Sequence, residues 1–220
     1  MIRPAAIETR LLLAAGAFGA VLFVVVWLFD GVTRPGYDAV RLPVSALALG
    51  ERGWVQIANF VVTGLLMAAF SLGVRRTLDE GRAAVWAPAL LAAFAVGLIA
   101  SGLFVMDPPA DQSRGGSDVG GASWHGVAHD IAGLVVFSAL PAAAFVMAGR
   151  FWASAGRNWL GVVSFVAGIV TLGLFVAFVI VDESDAGGAG LLQRLSIVVG
   201  WGWIGLVAVI LLADAPEPFR

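Results

Sequence analysis

The two histidines of the chain lie four residues apart, in the run SWHGVAHD, and are the residues best suited to chemistry. His125 and His129 would share one face of a helix, which is the geometry that two metal ligands need. A third ligand would come from Asp107 or Asp182, both expected at matching depth. Two histidines, a carboxylate and a water are an arrangement in which zinc generates hydroxide near neutral pH. The pattern therefore predicts a metal site, with zinc as the expected ion.

Two other interpretations of this cluster need no metal. His129 could act as a general base that an aspartate orients. Alternatively, histidine and aspartate at the start of a helix cap its free N–H groups and interact favourably with its dipole. In that case Arg194 would form an ion pair with Asp130 or Asp182.

Polar residues recur at one end of the apolar segments. Three segments run up to an aspartate, in WLFD, FVMD and VIVD, and the segment after each has a polar residue five positions before a Val-Val pair. This is either an old triplication of a helical hairpin or a common feature of membrane helices. Both explanations place six polar residues at similar depth: Asp30, Gln56, Asp107, Asp130, Asp182 and Gln193.

The second segment adds Asn59 and Thr63 on the face that carries Gln56. Such side chains either hydrogen-bond between helices or form the polar wall of a cavity. The loop 31–53 contains VRLPVSALALG, which is too short to cross a bilayer. It is expected at the interface or folded back into the bundle. Ser45 lies in its middle and is either a helix cap or a nucleophile.

Composition shows which kind of scaffold carries these residues. The chain of 220 residues is 60% hydrophobic and 13% charged, and its mean hydropathy is +0.94, which indicates an integral membrane protein. Thirteen basic residues, all arginine, oppose 15 acidic ones, so a nucleic-acid binder with a basic surface is excluded. The absence of cysteine excludes disulfides, thiolate metal sites and iron–sulfur clusters.

Six stretches are long and apolar enough to cross a bilayer, at about 20 residues each. One side of the membrane would carry 8 arginines and 5 acidic residues, and the other 5 arginines and 10 acidic residues. The positive-inside rule then predicts an all-α, polytopic protein of the cell membrane with both termini in the cytoplasm. The whole chain, 1–220, is expected to form a single bundle, with spans at about 11–29, 54–74, 87–106, 129–148, 159–181 and 195–213.

Several runs resemble one family over nearly the whole chain: YDAVRLPVSALALGERGWVQIANFVVTGLL, GLFVMDPP, WHGVAHDIAGLVVFSALP and LLQRLSIVVGWGW. They are similar to the bacterial and archaeal membrane family catalogued as domain of unknown function 998, frequent in actinobacteria. This resemblance implies a six-helix membrane protein. A looser similarity is to the seven-helix alkaline ceramidases and adiponectin receptors, which hold zinc with three histidines. It implies matching roles here for Ser45, Asp107, His125, His129 and Asp130.

The resulting hypothesis is an outward-facing polar pocket that acts on a membrane lipid or isoprenoid. The enzyme would be a hydrolase, or a terpene cyclase that protonates an olefin. Asp107, His129, Asp130 and Ser45 are the candidate catalytic residues, and His125, His129 and Asp107 are the candidate metal ligands. The alternative is a non-enzymatic protein that binds lipid or assists a partner complex. The remaining candidate pocket residues are Gln56, Asn59, Asp182, Gln193, Arg194 and Trp124.

Overall fold

The computed structural model describes residues 4–108, 122–184 and 187–216. Within them, all of the regular secondary structure is helical. Each long helix has 22 to 30 residues, and all six are apolar enough to cross a membrane. Since a helix rises 1.5 Å per residue, even the shortest spans a hydrocarbon core of about 30 Å. In chain order the helices are α1 (Pro4–Thr33), α2 (Gly53–Thr77), α3 (Arg82–Leu103), α4 (Trp124–Trp152), α5 (Asn158–Glu183) and α6 (Ala189–Asp214).

The prediction of six membrane-spanning helices is confirmed, with two informative differences at helix ends. The third span was expected to reach residue 106, but α3 ends at Leu103, so Asp107 lies in the following loop. The fourth was expected to begin at residue 129, but α4 begins at Trp124. His125 and His129 are therefore both inside α4, separated by one helical turn.

The six helices form a closed ring in chain order. Each helix packs against its neighbours in sequence, and α6 closes the ring by packing against α1. Glycine lets two of these pairs approach closely. A Cβ atom at Gly64 would lie 2.9 Å from the Ala95 carbonyl oxygen, and one at Gly97 would lie 3.1 Å from that of Ala132. Small residues at helix contacts are the usual means by which membrane helices pack, because lipid supplies no hydrophobic force between them.

A short 3-10 helix, η1 (Val44–Ala48), enters one end of this ring and packs against α1, α2 and α6. We call this the η1 end of the bundle; α2, α4 and α6 begin there. Four of the five η1 residues are buried, so the loop 31–53 does fold back into the bundle. Hydrogen bonds hold both sides of the segment. Gln193 Oε1 accepts from Val44 N at 2.7 Å, and Arg34 donates to the Leu49 carbonyl at 2.9 Å.

Candidate functional site

Two adjoining cavities lie near the η1 end. The inner chamber has a volume of about 50 Å³, and the side cleft, between α4 and α5, has a volume of about 410 Å³. Residues of η1, α4 and α6 line both cavities, so the two are neighbours in the structure. These shared residues are Ser45, His129, Gly133, Phe137 and Gln193.

The side cleft has a polar end and an apolar end. Asp130, Asp182 and Glu183 line it near the η1 end, and all three are exposed. Phe175 and Phe178, each about one helical turn or more deeper in α5, line its apolar part. The cleft therefore changes from carboxylate to aromatic surface along the direction of the bundle axis.

The inner chamber is mainly apolar but contains several polar groups. Phe23, Phe60 and Trp201 line it, and the Phe23 and Trp201 rings stack with their centroids 4.9 Å apart. Trp201 is 1% exposed, and within the described residues its buried Nε1 has no hydrogen-bond partner. A buried donor of this kind beside a polar cavity is usually satisfied by water.

His129 is the buried ionisable residue in the wall of both cavities. Its side chain is 7% exposed, and its Nδ1 lies 2.7 Å from the Phe104 carbonyl oxygen. Because a carbonyl oxygen can only accept, Nδ1 carries a proton, and Nε2 is the nitrogen that bears the lone pair in this tautomer of imidazole. The loop after α3 thus fixes both the orientation and the tautomer of this imidazole.

Ser45 is the second residue of η1 and lines both cavities. The helix cap is Pro43, which makes no side-chain cap bond, so the interpretation of Ser45 as a cap is wrong. No described residue hydrogen-bonds its hydroxyl. Ser45 therefore presents an unengaged hydroxyl in the cavity wall that contains His129.

Asp107 and His125 belong to a capping cluster at the start of α4. Ser123, the N-cap residue, accepts from Gly126 N at 3.0 Å and donates its hydroxyl to Asp107 Oδ1 at 2.6 Å. The Ser123 backbone N–H donates to the other carboxylate oxygen of Asp107 at 2.8 Å. His125 Nδ1 lies 2.9 Å from the Ser123 hydroxyl and 3.9 Å from Asp107. The N-cap of α4 is thus Ser123, with Asp107 and His125 bonded to it, where the histidines and an aspartate themselves had been expected to cap the helix.

The two hydrogen bonds from Ser123 also favour the ionised form of the Asp107 carboxyl group. They stabilise the carboxylate and so hold the pKa of Asp107 below its ordinary value, with a smaller contribution from His125. A carboxylate stabilised in this way is a weaker proton donor, which is the opposite of what protonation of an olefin by Asp107 would need.

The expected zinc ligands do not form a coordination group. Among residues 4–108, 122–184 and 187–216, no three His, Cys, Asp or Glu residues are grouped so that they could hold a metal. The donor set of His125, His129 and Asp107 therefore does not fit a zinc ion.

The comparison with protein families gave one match. A family model described as a protein of unknown function (DUF998) matches residues 9–210. The chain belongs to the DUF998 family. Searches of curated proteins and of solved structures each found no match. The looser similarity to alkaline ceramidases and adiponectin receptors is thus not supported by any of these comparisons.

In this DUF998 protein, the polar residues of α2 lie between helices and not in the cavity walls. Gln56, Asn59 and Thr63 are at most 4% exposed, and none lines the inner chamber or the side cleft. Asn59 Nδ2 donates to the Phe23 carbonyl of α1 at 3.2 Å and to Gln56 Oε1 at 3.3 Å. Asn59 therefore forms a hydrogen bond between helices, which was one of the two predicted roles, while the Asn59–Gln56 bond lies within α2.

Arg194 and Trp124 also lie outside the cavity walls. Arg194 is 8% exposed and donates to the carbonyls of Leu42 and Gly190, both at 2.8 Å, and to the Tyr37 hydroxyl. The bonds to Leu42 and Tyr37 tie the loop before η1 to α6, where an ion pair with Asp130 or Asp182 had been expected. Trp124 is 73% exposed and packs edge-on against Phe104.

A buried charge cluster at the η1 end was missed from the sequence. Asp30 is 1% exposed, with one oxygen 2.7 Å from Arg34 Nη2 and the other 2.6 Å from Arg52 Nη2. The i, i+4 spacing of Asp30 and Arg34 was a usable signal for the first pair. The second pair joins the end of α1 to the start of α2 and has no sequence signature.

Proposed function

We propose that this DUF998 protein binds one amphiphilic membrane lipid in the side cleft and acts on it by acid–base chemistry through His129. The observation that carries the proposal is the position of His129, a buried imidazole of fixed tautomer in the wall shared by both cavities. The lipid or isoprenoid substrate would contact the carboxylates of the cleft with its polar part and the phenylalanines with its chain.

The shape and polarity of the side cleft support lipid binding. Its volume of about 410 Å³ falls in the range of small-molecule sites, which is roughly 300–1,000 Å³. Asp130 and Asp182 line its polar end, and Phe137, Phe175 and Phe178 line its apolar part. A membrane amphiphile has the same order of polar and apolar groups along its length.

The environment of His129 supports acid–base chemistry. With Nδ1 donating to Phe104, Nε2 is the basic nitrogen, and the orientation is fixed before any substrate arrives. A backbone carbonyl here takes the orienting role that a carboxylate often has.

Lipid binding is tested by filling the cleft at Gly133. A Cβ at Gly133 would meet no atom within 4 Å, so Gly133→Leu adds bulk to the cleft without a local clash. Gly149→Leu is the matched control, since Gly149 is on the same helix, is equally open and lines neither cavity. Native mass spectrometry of protein extracted with its lipids should show a bound lipid in wild type and Gly149→Leu, and loss of it in Gly133→Leu. Equal lipid retention in both variants would refute the proposed site.

Acid–base chemistry is tested with His129→Asn. The Asn amide nitrogen takes the place of Nδ1 and can still donate to the Phe104 carbonyl, but the basic nitrogen is gone. We expect the variant to keep the lipid and lose its conversion, measured as new lipid products after expression in cells. General-base catalysis of this kind contributes about 10²–10⁴-fold in rate.

A non-enzymatic lipid-binding protein is the second candidate. The observation in its favour is that the one described hydrogen bond of His129 goes to a backbone carbonyl, and that Asp107 is engaged by Ser123. Under this alternative, wild type and His129→Asn bind the same lipid and produce identical lipid profiles. Loss of a product in the variant contradicts it.

A further inference from the structure

The polar residues common to the inner chamber and the side cleft are one serine, one histidine and one glutamine. We infer that Ser45, His129 and Gln193 form a nucleophile, a base and an oxyanion donor for acyl transfer, so that the substrate is an acyl ester of a lipid. This inference rests on the proposed lipid site and assigns its reaction class.

Ser45 has the properties expected of a nucleophile. Its hydroxyl makes no hydrogen bond within the described residues, and Ser45 lines both cavities. The segment that carries it is held firmly, because Tyr37 donates to the Pro43 carbonyl at 2.9 Å and Val44 N donates to Gln193 Oε1 at 2.7 Å. A serine needs a neighbouring base to become nucleophilic, and His129 lines the same two cavities.

Gln193 is placed beside Ser45 by its bond to Val44, the preceding residue. That bond uses Oε1 and so fixes which end of the side-chain amide faces the η1 backbone. The Nε2 group keeps two N–H donors, and Gln193 is 6% exposed in the wall of both cavities. A side-chain amide in a buried site is a recognised donor to the oxyanion of an acyl-transfer intermediate.

The reaction balances with water as the second substrate. The Ser45 oxygen attacks the ester carbonyl carbon, its proton moves to His129 Nε2, and Gln193 donates to the oxyanion. The carbon–oxygen bond to the alcohol then breaks, and the alcohol leaves with the proton from His129. Water, deprotonated by His129, attacks the acyl-serine, the fatty acid is released, and Ser45 recovers its proton.

The inner chamber is a suitable source of this water. Its volume of about 50 Å³ has room for a few water molecules, each of which needs roughly 10–15 Å³. Trp201 Nε1, buried and without a partner among the described residues, is a donor that such water would satisfy. The side cleft would hold the lipid while the chamber on the opposite side of His129 and Ser45 supplies the hydrolytic water.

A fluorophosphonate probe with a long alkyl chain tests the inference without knowledge of the natural substrate. The Ser45 oxygen would bond to phosphorus, fluoride would leave, and His129 would take the hydroxyl proton. The full-length protein in lipid nanodiscs should gain one adduct, located at Ser45 by peptide mass spectrometry. Ser138→Ala is the matched control that should leave labelling unchanged, because the Ser138 hydroxyl is exposed on α4 and donates to the Leu134 carbonyl.

Three variants distinguish the roles of the residues. Ser45→Ala should abolish labelling, and His129→Asn should slow it by about 10²–10⁴-fold. Gln193→Glu keeps an acceptor for Val44 N but loses both donors, so labelling should slow by about 10²–10³-fold. Thermal unfolding of each variant confirms that it is folded.

Two results would overturn the inference: an adduct on another residue, or labelling as fast in Ser45→Ala or His129→Asn as in wild type. The proposed lipid site is judged separately, by the lipid retained in Gly133→Leu and Gly149→Leu. If lipid retention depends on Gly133 but Ser45 is unreactive, acyl transfer is refuted and lipid binding stands. If lipid retention is independent of Gly133, the proposed function fails even where Ser45 is labelled.

Discussion

Replacement of Asp30 by asparagine tests whether the buried charge cluster stabilises the bundle. The Asp30 carboxylate is 1% exposed and lies 2.7 Å from Arg34 and 2.6 Å from Arg52. Asparagine has nearly the same size but no charge, so the variant would leave two guanidinium groups close together without their common counter-ion. The unfolding free energy that is lost depends on how well water solvates each arginine once its counter-ion is gone.

The two arginines differ enough in exposure for their contributions to be separated. Arg34 is 13% exposed, so its pair with Asp30 is a buried one, and loss of one partner from a buried pair costs about 3–5 kcal/mol. Arg52 is 42% exposed, and pairs of that kind contribute about 0.2–1 kcal/mol. We therefore expect Asp30→Asn to lose about 3–5 kcal/mol of unfolding free energy, and Arg52→Gln about 1 kcal/mol or less.

Asp214→Asn is the matched control, because it makes the same substitution in an exposed pair. Asp214 accepts two hydrogen bonds from Arg157, at 2.5 and 2.7 Å, but both side chains are 36% exposed. The expected loss is about 1 kcal/mol or less. The measurement is reversible unfolding from mixed micelles by sodium dodecyl sulfate, followed by tryptophan fluorescence. Equal losses in Asp30→Asn and Asp214→Asn would refute the reasoning from burial.

Two further predictions concern pH and topology. Since the pKa of Asp107 is lowered from 3.8, its carboxylate stabilises the fold above that pH, and the stabilisation is lost as the pH falls through the lowered value. Thermal midpoints should thus fall more steeply on acidification in wild type than in Asp107→Asn, and parallel curves would contradict this. The chain has no cysteine, so single-cysteine variants report topology directly. A membrane-impermeant maleimide should label Val40→Cys on intact cells and Ala153→Cys only after permeabilisation, whereas the reverse pattern would disprove cytoplasmic termini.

The three recurrent aspartates show which features of the η1 end could be predicted from the sequence and which could not. Asp30, Asp107 and Asp182 look equivalent in the sequence, as the last residues of three apolar runs. In the structure Asp30 is buried between two arginines, Asp107 lies in a loop bound to Ser123, and Asp182 is exposed beside the side cleft. Hydropathy alone cannot separate these environments, because they depend on residues from other helices. The hairpin triplication stays a prediction.

The same holds for the candidate catalytic residues: their types and positions could be read from the sequence, but their surroundings could not. Ser45, His129 and Asp130 were named from their types and positions, and all three line the side cleft. The roles of Phe104, whose carbonyl sets the tautomer of His129, and of Gly133, whose missing side chain leaves space, had no signal in the sequence. A backbone carbonyl carries no residue signature, and open space is a property of the packed bundle.

The sequence by itself determined the class of the protein and the number of its spans, because burial in lipid requires about 20 apolar residues in each helix wherever its neighbours lie. It also determined that His125 and His129, four residues apart, would share one face of any helix that contains both. Only the tertiary structure decided that His125 belongs to a cap and His129 to a cavity wall. The two histidines are one turn apart on α4 but contact different groups in the segment between α3 and α4. His125 contacts Ser123 and Asp107, whereas His129 contacts the Phe104 carbonyl. The partner, and not the spacing, sets what each imidazole can do.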